Sequence, residues 1–334
     1  MTPEELAGRL EAFLRRARGV DDVRVEQLRR LTGGASRETW SFDATAAGET
    51  LPLILQRDAH AASAMKQGSR RLEYRVLEEA CGAGVPAPEP VAYGDDSLDG
   101  DFFIVRRAEG ETLPRRLLRE DAYARAREAI TPQLGAILAR IHAIPLDAPG
   151  FEDLPGAPEG VSPAQYELER YEQLFRAIAP EPHPAFELAF RWLRARLPSG
   201  DTARTFLHGD FRMGNVLFDT DGVRLVLDWE LAHAGDPAED LAWMSVRSWR
   251  FGGPKPVGGI GDRDAFFAAY EEAGGGKLDP ERVRFWEIFG NLKWGIICIS
   301  QGRTYLDGRS NSVELASIGR RTAETEWELL SLIA

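Results

Sequence analysis

The chain has 334 residues, enough for two lobes with ample core. Its apolar content of 43% and charged content of 28% are ordinary for a soluble globular protein, and no apolar run reaches the length of a membrane span. A net charge of −12 argues against nonspecific nucleic-acid binding, which needs a basic face, and fits either plain solubility or a cationic substrate.

The start, Met1-Thr2-Pro3-Glu4-Glu5, lacks the basic residues and apolar stretch of a signal peptide. Thr2 and Pro3 cap a predicted helix with Leu6, Leu10, Phe13 and Leu14 on one face, and Gly19 stops it. Val23 to Leu31 and Glu38 to Phe42 read as partnered strands joined through Gly33-Gly34-Ala35-Ser36. Glycines there let backbone N–H groups approach a phosphate, although by itself Gly-Gly more often marks a plain hairpin turn. Leu51 to Arg57 is the next strand, and strand alternation puts Gln56 and Arg57 on opposite faces. Ser69 to Ala83 reads as a helix with Leu72, Val76, Leu77 and Ala80 inward, ended by Gly82 and Gly84. Pro86, Pro88 and Pro90 mark an extended segment, and Asp101 to Val105 a buried strand. Arg106 to Gly110 leads into a mostly helical half. Helices are expected from Asp121 to His142, Pro163 to Ile178 and Pro184 to Leu197. His142 has no motif around it and reads as structural or surface; Tyr166, Tyr171 and Phe175 read as core at helical spacing. Cys81 and Cys298 show neither a disulfide framework nor metal-ligand spacing and read as reduced thiols of a cytoplasmic protein.

The densest chemistry lies between His208 and Asp228. His208-Gly209-Asp210 is followed by Asn215 and by two short apolar runs hinged at Asp221-Gly222, a strong hairpin signal. Asp210, Asn215 and Asp228 therefore stand at strand ends and in the loop between, where rigid strands hold them. Protein kinases carry H-R-D-x-x-x-x-N at the same offset, then a strand pair and a metal-binding Asp. A carboxylate at Asp210 can take or orient the proton of an attacking hydroxyl. An amide oxygen at Asn215 and a carboxylate at Asp228 are hard ligands suited to Mg²⁺. A metallohydrolase reading of His208, Asp210 and His233 leaves the Asn215 and Asp228 spacing unexplained. Downstream, Asp236 and Pro237 read as cap and first turn of a helix, with Asp240 one turn in. The short spacing from Asp228 leaves no room for an activation loop. Gly252 to Gly261 reads as a mobile lid or a disordered loop. Helices near Asp262–Ala273, Asp279–Thr304 and Val313–Ile333 complete the chain.

His-Gly-Asp-x-x-x-x-Asn at 208–215, Val-Leu-Asp-Trp-Glu at 226–230 and Gly-Asp-Pro-x-x-Asp-Leu at 235–241 together resemble the aminoglycoside phosphotransferase and choline kinase-like family. The likeness is greatest to bacterial members related to the kinase-like domain fused to some acyl-CoA dehydrogenases. It runs from about Leu28 to the C-terminal helices, and it is specific for fold and phosphoryl transfer rather than for acceptor. The resemblance implies a protein kinase-like, two-lobed α+β fold. Residues 1–106 would form a small antiparallel-sheet lobe that covers the nucleotide, and 107–334 a mainly helical lobe bearing the catalytic hairpin and acceptor-binding helices. It implies a small-molecule kinase that moves the γ-phosphate of ATP or GTP to a metabolite hydroxyl with Mg²⁺. Asp210 and His208 would be catalytic, and Asn215 and Asp228 would hold the metal. Nucleotide contacts are expected at Gly33, Gly34, Ser36, Gln56, Arg57 and Glu73, and at the hinge around Val105 and Arg107. Asp240 is expected to hold the catalytic-loop backbone. Neither a nucleic-acid nor a membrane partner is expected.

One departure stands out. The basic residue that such a strand offers the phosphates is Gln56 here, while Glu73 matches the helix glutamate that pairs with it. That keeps open a nucleotide-binding scaffold without catalysis. For the acceptor, an aminoglycoside would need several clustered carboxylates, and Glu230, Asp236 and Glu239 lie near the site. Arg212, Arg247 and Arg250 would instead suit a phosphate-bearing acyl thioester, and a non-aminoglycoside metabolite is the preferred reading.

Overall fold

The computed structural model describes residues 1–31, 37–58, 68–95, 97–179, 181–199 and 204–334. The expected glycine loop, with Gly33, Gly34 and Ser36, lies outside the described residues. Helix α1 (Pro3–Arg18) opens on a capping box between Thr2 and Glu5 and ends at Gly19, whose φ is 64°. It packs on a five-stranded antiparallel sheet: β1 (Val23–Arg30), β2 (Arg37–Ala46), β3 (Glu49–Asp58), β4 (Pro90–Gly94) and β5 (Phe102–Arg106), in spatial order β1-β2-β3-β5-β4.

The two sheet faces belong to different cores. Phe42, Leu53, Leu55, Phe102 and Ile104 pack under α1. Ile54, Phe103 and Val105 pack on the other side, against α2 (Arg70–Gly82) and the helical half of the chain. Strand β4 was expected only as an extended segment. It is short, begins at a proline and lies at the sheet edge, where a missing N–H costs no ladder bond.

The remainder is mostly helical: α3 (Pro114–Arg119), α4 (Ala124–His142), α5 (Pro163–Ile178), α6 (Pro184–Arg194), α7 (Pro237–Ser245), α8 (Arg263–Glu272), α9 (Pro280–Leu306), α10 (Val313–Gly319) and α11 (Thr322–Ile333). Two small strand pairs are set among them. β7 (Val216–Asp219) and β8 (Gly222–Val226) form the expected hairpin. β6 (Thr205–Leu207) pairs with β9 (His233–Gly235), a strand too short for a two-residue period to reveal. Glu111 exchanges both backbone hydrogen bonds with Phe218 of β7, at 2.8 and 3.0 Å, and Val226 donates to the Pro86 carbonyl at 2.7 Å. The hairpin is thereby stitched to the segments flanking the sheet.

Two expectations need correction. The 252–261 loop is not disordered: Val257 is fully buried, Val257 and Gly261 form a bridge, and Gly258 sits against Met213 of the loop that precedes β7. A single buried valine and close glycine contacts anchor it. The last predicted helix is two helices: α10 ends at Gly319, which lies so close to Gly302 of α9 that a Cβ there would come 2.8 Å from the Gly302 Cα. No described helix is long and apolar enough to cross a membrane.

Candidate active site

The site forms where β6 ends and β7 begins. Its backbone geometry depends on Gly209, which has a φ of 79° and whose Cβ, if present, would lie 2.2 Å from the Leu231 carbonyl oxygen. Only glycine fits both the left-handed conformation and that contact. The loop is then fastened from below by Asp240, fully buried in α7. Its two carboxylate oxygens accept the His208 N–H at 2.8 Å and the Gly209 N–H at 2.9 Å. His142 Nε2 donates to the same carboxylate at 3.3 Å, and Tyr270 meets His142 Nδ1 at 2.8 Å. Burial alone would raise the Asp240 pKa, but the His142 hydrogen bond and the nearby imidazoles hold it below the ordinary range. His142 is thus a buried strut of the loop.

His208 is also buried, and its tautomer follows from its partners. The Asp210 N–H donates to Nδ1 at 3.2 Å, so the proton sits on Nε2, which donates to the Leu227 carbonyl at 3.1 Å. Burial pushes its pKa down, outweighing the charges of Asp240, Asp210 and Asp228, so the ring is neutral. His208 orients the loop from both ends.

Three side chains hold the Asp210 carboxylate. Trp243 Nε1 donates to its Oδ1 at 2.7 Å, Asn215 Nδ2 to its Oδ2 at 2.6 Å, and Arg212 Nε reaches both oxygens at 3.0 and 3.1 Å. The Arg212 guanidinium in turn lies 4.6 Å from the Trp249 ring centre. The Asn215 backbone carbonyl accepts the Leu227 N–H at 2.8 Å, which places the next residue, Asp228, beside it. Asp228 has a φ of 70°, a conformation that side chains other than glycine, asparagine and aspartate rarely adopt. Asp210, Asn215 and Asp228 therefore share one end of the hairpin.

A second buried network lies behind the loop. Lys293 of α9 donates to Glu239 at 3.0 Å and to the Gly209 carbonyl at 3.4 Å, with its ammonium 4.9 Å from the Trp243 ring centre. Glu239 also accepts from His233 Nε2 at 3.3 Å, while His233 Nδ1 donates to the Leu231 carbonyl at 2.9 Å. Both ring nitrogens donate, so His233 is an imidazolium. Burial would lower its pKa, but Glu239 more than offsets this and raises it to about 9. Asp236 caps α7 through Ala238 and also accepts from Arg282 and Trp286, a structural role.

The other expected residues are distributed as follows. Gln56 shares the α2 face of the sheet with Ile54. Arg57 faces the other way, bonded to Glu38 at 2.8 Å and to the Leu98 carbonyl at 3.4 Å, so the structure does not bring it together with Gln56. Glu73 is buried, and Arg70 of its own helix is one of its partners. Val105 is held in the sheet opposite Ile54 and Pro90. Arg107 gives its N–H to the Pro52 carbonyl and its guanidinium to Ser41 and Asp43, which makes it a brace just after β5. Sequence reasoning missed Trp243 and Lys293. Trp243 stands three residues after Asp240, on the same face of α7, a spacing that could have pointed to it; nothing local marks Lys293.

Comparison with known proteins agrees with this geometry. A chicken (Gallus gallus) acyl-CoA dehydrogenase family member 11 is 31% identical over 177 residues, 52% of this chain but only 22% of that protein. The chain thus spans about a fifth of the length of that relative. The crystal structure of a putative aminoglycoside phosphotransferase from Ralstonia eutropha JMP134 superposes with a TM-score of 0.76 at 25% identity, covering 96% of this chain and 97% of the other. A mutant of aminoglycoside phosphotransferase APH(4)-Ia in ternary complex with AMP-PNP and hygromycin B superposes at 0.63 with 18% identity, covering 98% of each chain, a likeness of fold. The profile of the phosphotransferase enzyme family matches residues 27–286, and with the kinase-like fold and the Asp210 loop in place, the chain belongs to that family.

Proposed function

We propose that the protein transfers the terminal phosphate of ATP or GTP to a hydroxyl of a small metabolite other than an aminoglycoside. The observation that carries the reading is the Asp210 carboxylate, fixed by three donors, with Asn215 bonded to it and Asp228 alongside. In that position Asp210 takes or orients the proton of the incoming hydroxyl, while positioning supplies most of the rate. Asn215 has committed its amide nitrogen to Asp210, so its oxygen is the atom it offers a cation. With Asp228 it gives two hard oxygen ligands. Among the described residues no cluster of three or more His, Cys, Asp or Glu forms a closed metal cage. That donor set suits Mg²⁺, which takes one or two protein oxygens and fills its shell with phosphates and water. Bound there, the ion would neutralise phosphate charge.

An open groove of about 700 Å³ borders the loop and favours the acceptor class. It is lined by Arg115, Arg247 and Arg321, with Trp327, 69% exposed, and Phe251, which packs beside Gly214. Glu324 and Glu328 also line it and pair with Arg321 and Arg247, so the Arg115 charge is the formal surplus of the groove. A net positive groove suits a phosphate- or carboxylate-bearing acceptor such as an acyl thioester and repels a polycation. Gln56 favours one second reading, a nucleotide-binding scaffold. A coupled nucleotide-consumption screen against hydroxyacyl-CoAs, sugars, amino alcohols and aminoglycosides tests both. Turnover of an anionic acceptor supports the proposal, turnover of kanamycin-type compounds alone refutes the acceptor class, and nucleotide binding without turnover of any acceptor supports the scaffold.

A further inference from the structure

Lys293 of α9 lies behind the Asp210 loop. It is 3% exposed and set between Tyr171 of α5 and Trp243 of α7. We propose that Lys293 is a positioning residue for phosphoryl transfer: its charge polarises the Trp243 indole, and the strengthened indole N–H fixes the Asp210 carboxylate that meets the incoming hydroxyl. The catalytic half of this inference rests on the phosphoryl-transfer reading above.

Three observations carry it. First, the line of contacts is continuous. The Lys293 ammonium is 4.9 Å from the Trp243 ring centre, and Trp243 Nε1 is 2.7 Å from Asp210 Oδ1. A cation over an indole face draws electron density from the ring, which leaves the N–H a better donor. A length of 2.7 Å falls among charge-assisted hydrogen bonds and below the usual N–H···O distance. Trp243 is itself 3% exposed, so water competes little for that N–H. Second, the charge is in surplus where it stands. Burial alone would lower the Lys293 pKa, but Tyr171, Glu239 and Glu167 hold it above the ordinary range, so the group is an ammonium. The two carboxylates near it have cations of their own: Glu167 pairs with Arg170 at 2.6 Å, and Glu239 with the His233 imidazolium at 3.3 Å. A lysine that served only to balance Glu239 would be redundant, and a buried charge carries a large desolvation cost. Third, its contacts with the loop converge on one residue. The same ammonium donates to the Gly209 carbonyl at 3.4 Å, and that carbonyl belongs to the peptide bond leading into Asp210. Lys293 thus bears on Asp210 weakly through the backbone and closely through the indole.

The test isotope-labels the indole nitrogens of the full chain and reads their N–H signals by NMR, beside steady-state turnover. Turnover is measured with Mg·ATP or Mg·GTP and the acceptor that the consumption screen returns, or with water as acceptor where it returns none. Trp243→Phe identifies the Trp243 signal by its loss. Lys293→Met should move that signal upfield, the mark of a weaker hydrogen bond. It should also lower kcat about tenfold, the difference between a charge-assisted and an ordinary hydrogen bond, with KM values within about twofold of wild type. Trp243→Phe should cost about as much, and adding Lys293→Met to it should cost no more than about twofold further, the share of the longer Gly209 contact. Two residues acting independently would instead multiply, to about a hundredfold. If Lys293→Met does not fold, Lys293→Gln takes its place with the same expectations, since it removes the charge and keeps a donor for Glu239. A folded Lys293 variant with an unmoved Trp243 signal, one with the kcat of wild type, or multiplied losses in the double variant overturns the positioning role. A wild type that turns over no acceptor, water included, overturns the proposed function itself, and the positioning role with it.

Discussion

Asp240→Asn is the most incisive single change, because it alters one buried anchor without touching a group that meets substrate. The wild-type carboxylate accepts two loop N–H groups, at 2.8 and 2.9 Å, and a His142 N–H at 3.3 Å, with no solvent access. An asparagine keeps one acceptor oxygen and turns an NH₂ toward the other N–H. One charge-assisted hydrogen bond is lost, about 1.5–3 kcal/mol, and two donors face each other in a buried place, about 1–3 kcal/mol more. Removing a buried charge returns part of this, so a net loss of about 3–5 kcal/mol is expected. At roughly 2 cal/mol/K of unfolding entropy per residue, this chain would melt about 4–7 °C lower. Gly209 lies between the anchored His208 and Asp210, so a slip of about 1 Å in the loop should cut kcat by about a hundredfold. Scanning calorimetry and steady-state kinetics measure both. A melting temperature within about 1 °C of wild type, together with an undiminished kcat, would refute the anchoring argument. The same carboxylate titrates below the ordinary range when folded, so its stabilisation is complete above about pH 4 and lost as the pH falls further.

Three other outcomes are expected. Asp210→Ala should lower kcat by about 10²–10⁴ while nucleotide affinity, read by thermal shift with Mg²⁺, stays within a few-fold; near-wild-type turnover would remove Asp210 from the mechanism. Gly209→Ala should destabilise the chain by about 2–5 kcal/mol, since the residue has a φ of 79° and its new Cβ would meet the Leu231 carbonyl; a denaturation midpoint matching wild type would contradict the backbone geometry. The folded pKa of His233, about 9, lies above its unfolded value near 6.5. Its stabilisation is therefore full below pH 6.5 and is lost as the pH rises through 9, by at most about 3 kcal/mol. Urea melts across that range should show this slope in the wild type and a flatter one in His233→Gln, and identical slopes would mean the imidazolium is not coupled to folding.

Local signals in the sequence were enough for most elements. Thr2 and Asp236 cap the helices that their positions predict, because capping needs only residues a few places apart. The hairpin around Asp221-Gly222 and the opposite facing of Gln56 and Arg57 were legible for the same reason: both follow from a two-residue period and a turn dipeptide. The offset from His208 through Asp210 and Asn215 to Asp228 marked the site, since the chain itself brings those residues within a few turns. The tertiary structure decided what depends on meetings between distant segments. It joined His142, 98 residues away, to Asp240, and Lys293, 84 residues away, to Gly209. It also buried the Arg70–Glu73 pair of α2. No pattern in one stretch records such contacts, because each depends on the packing of α4, α7 and α9 around the loop and of α2 against the sheet. The residue types of the site were set by its chemistry and could be read from the sequence, while the groups that hold it rigid were chosen by packing across the whole fold.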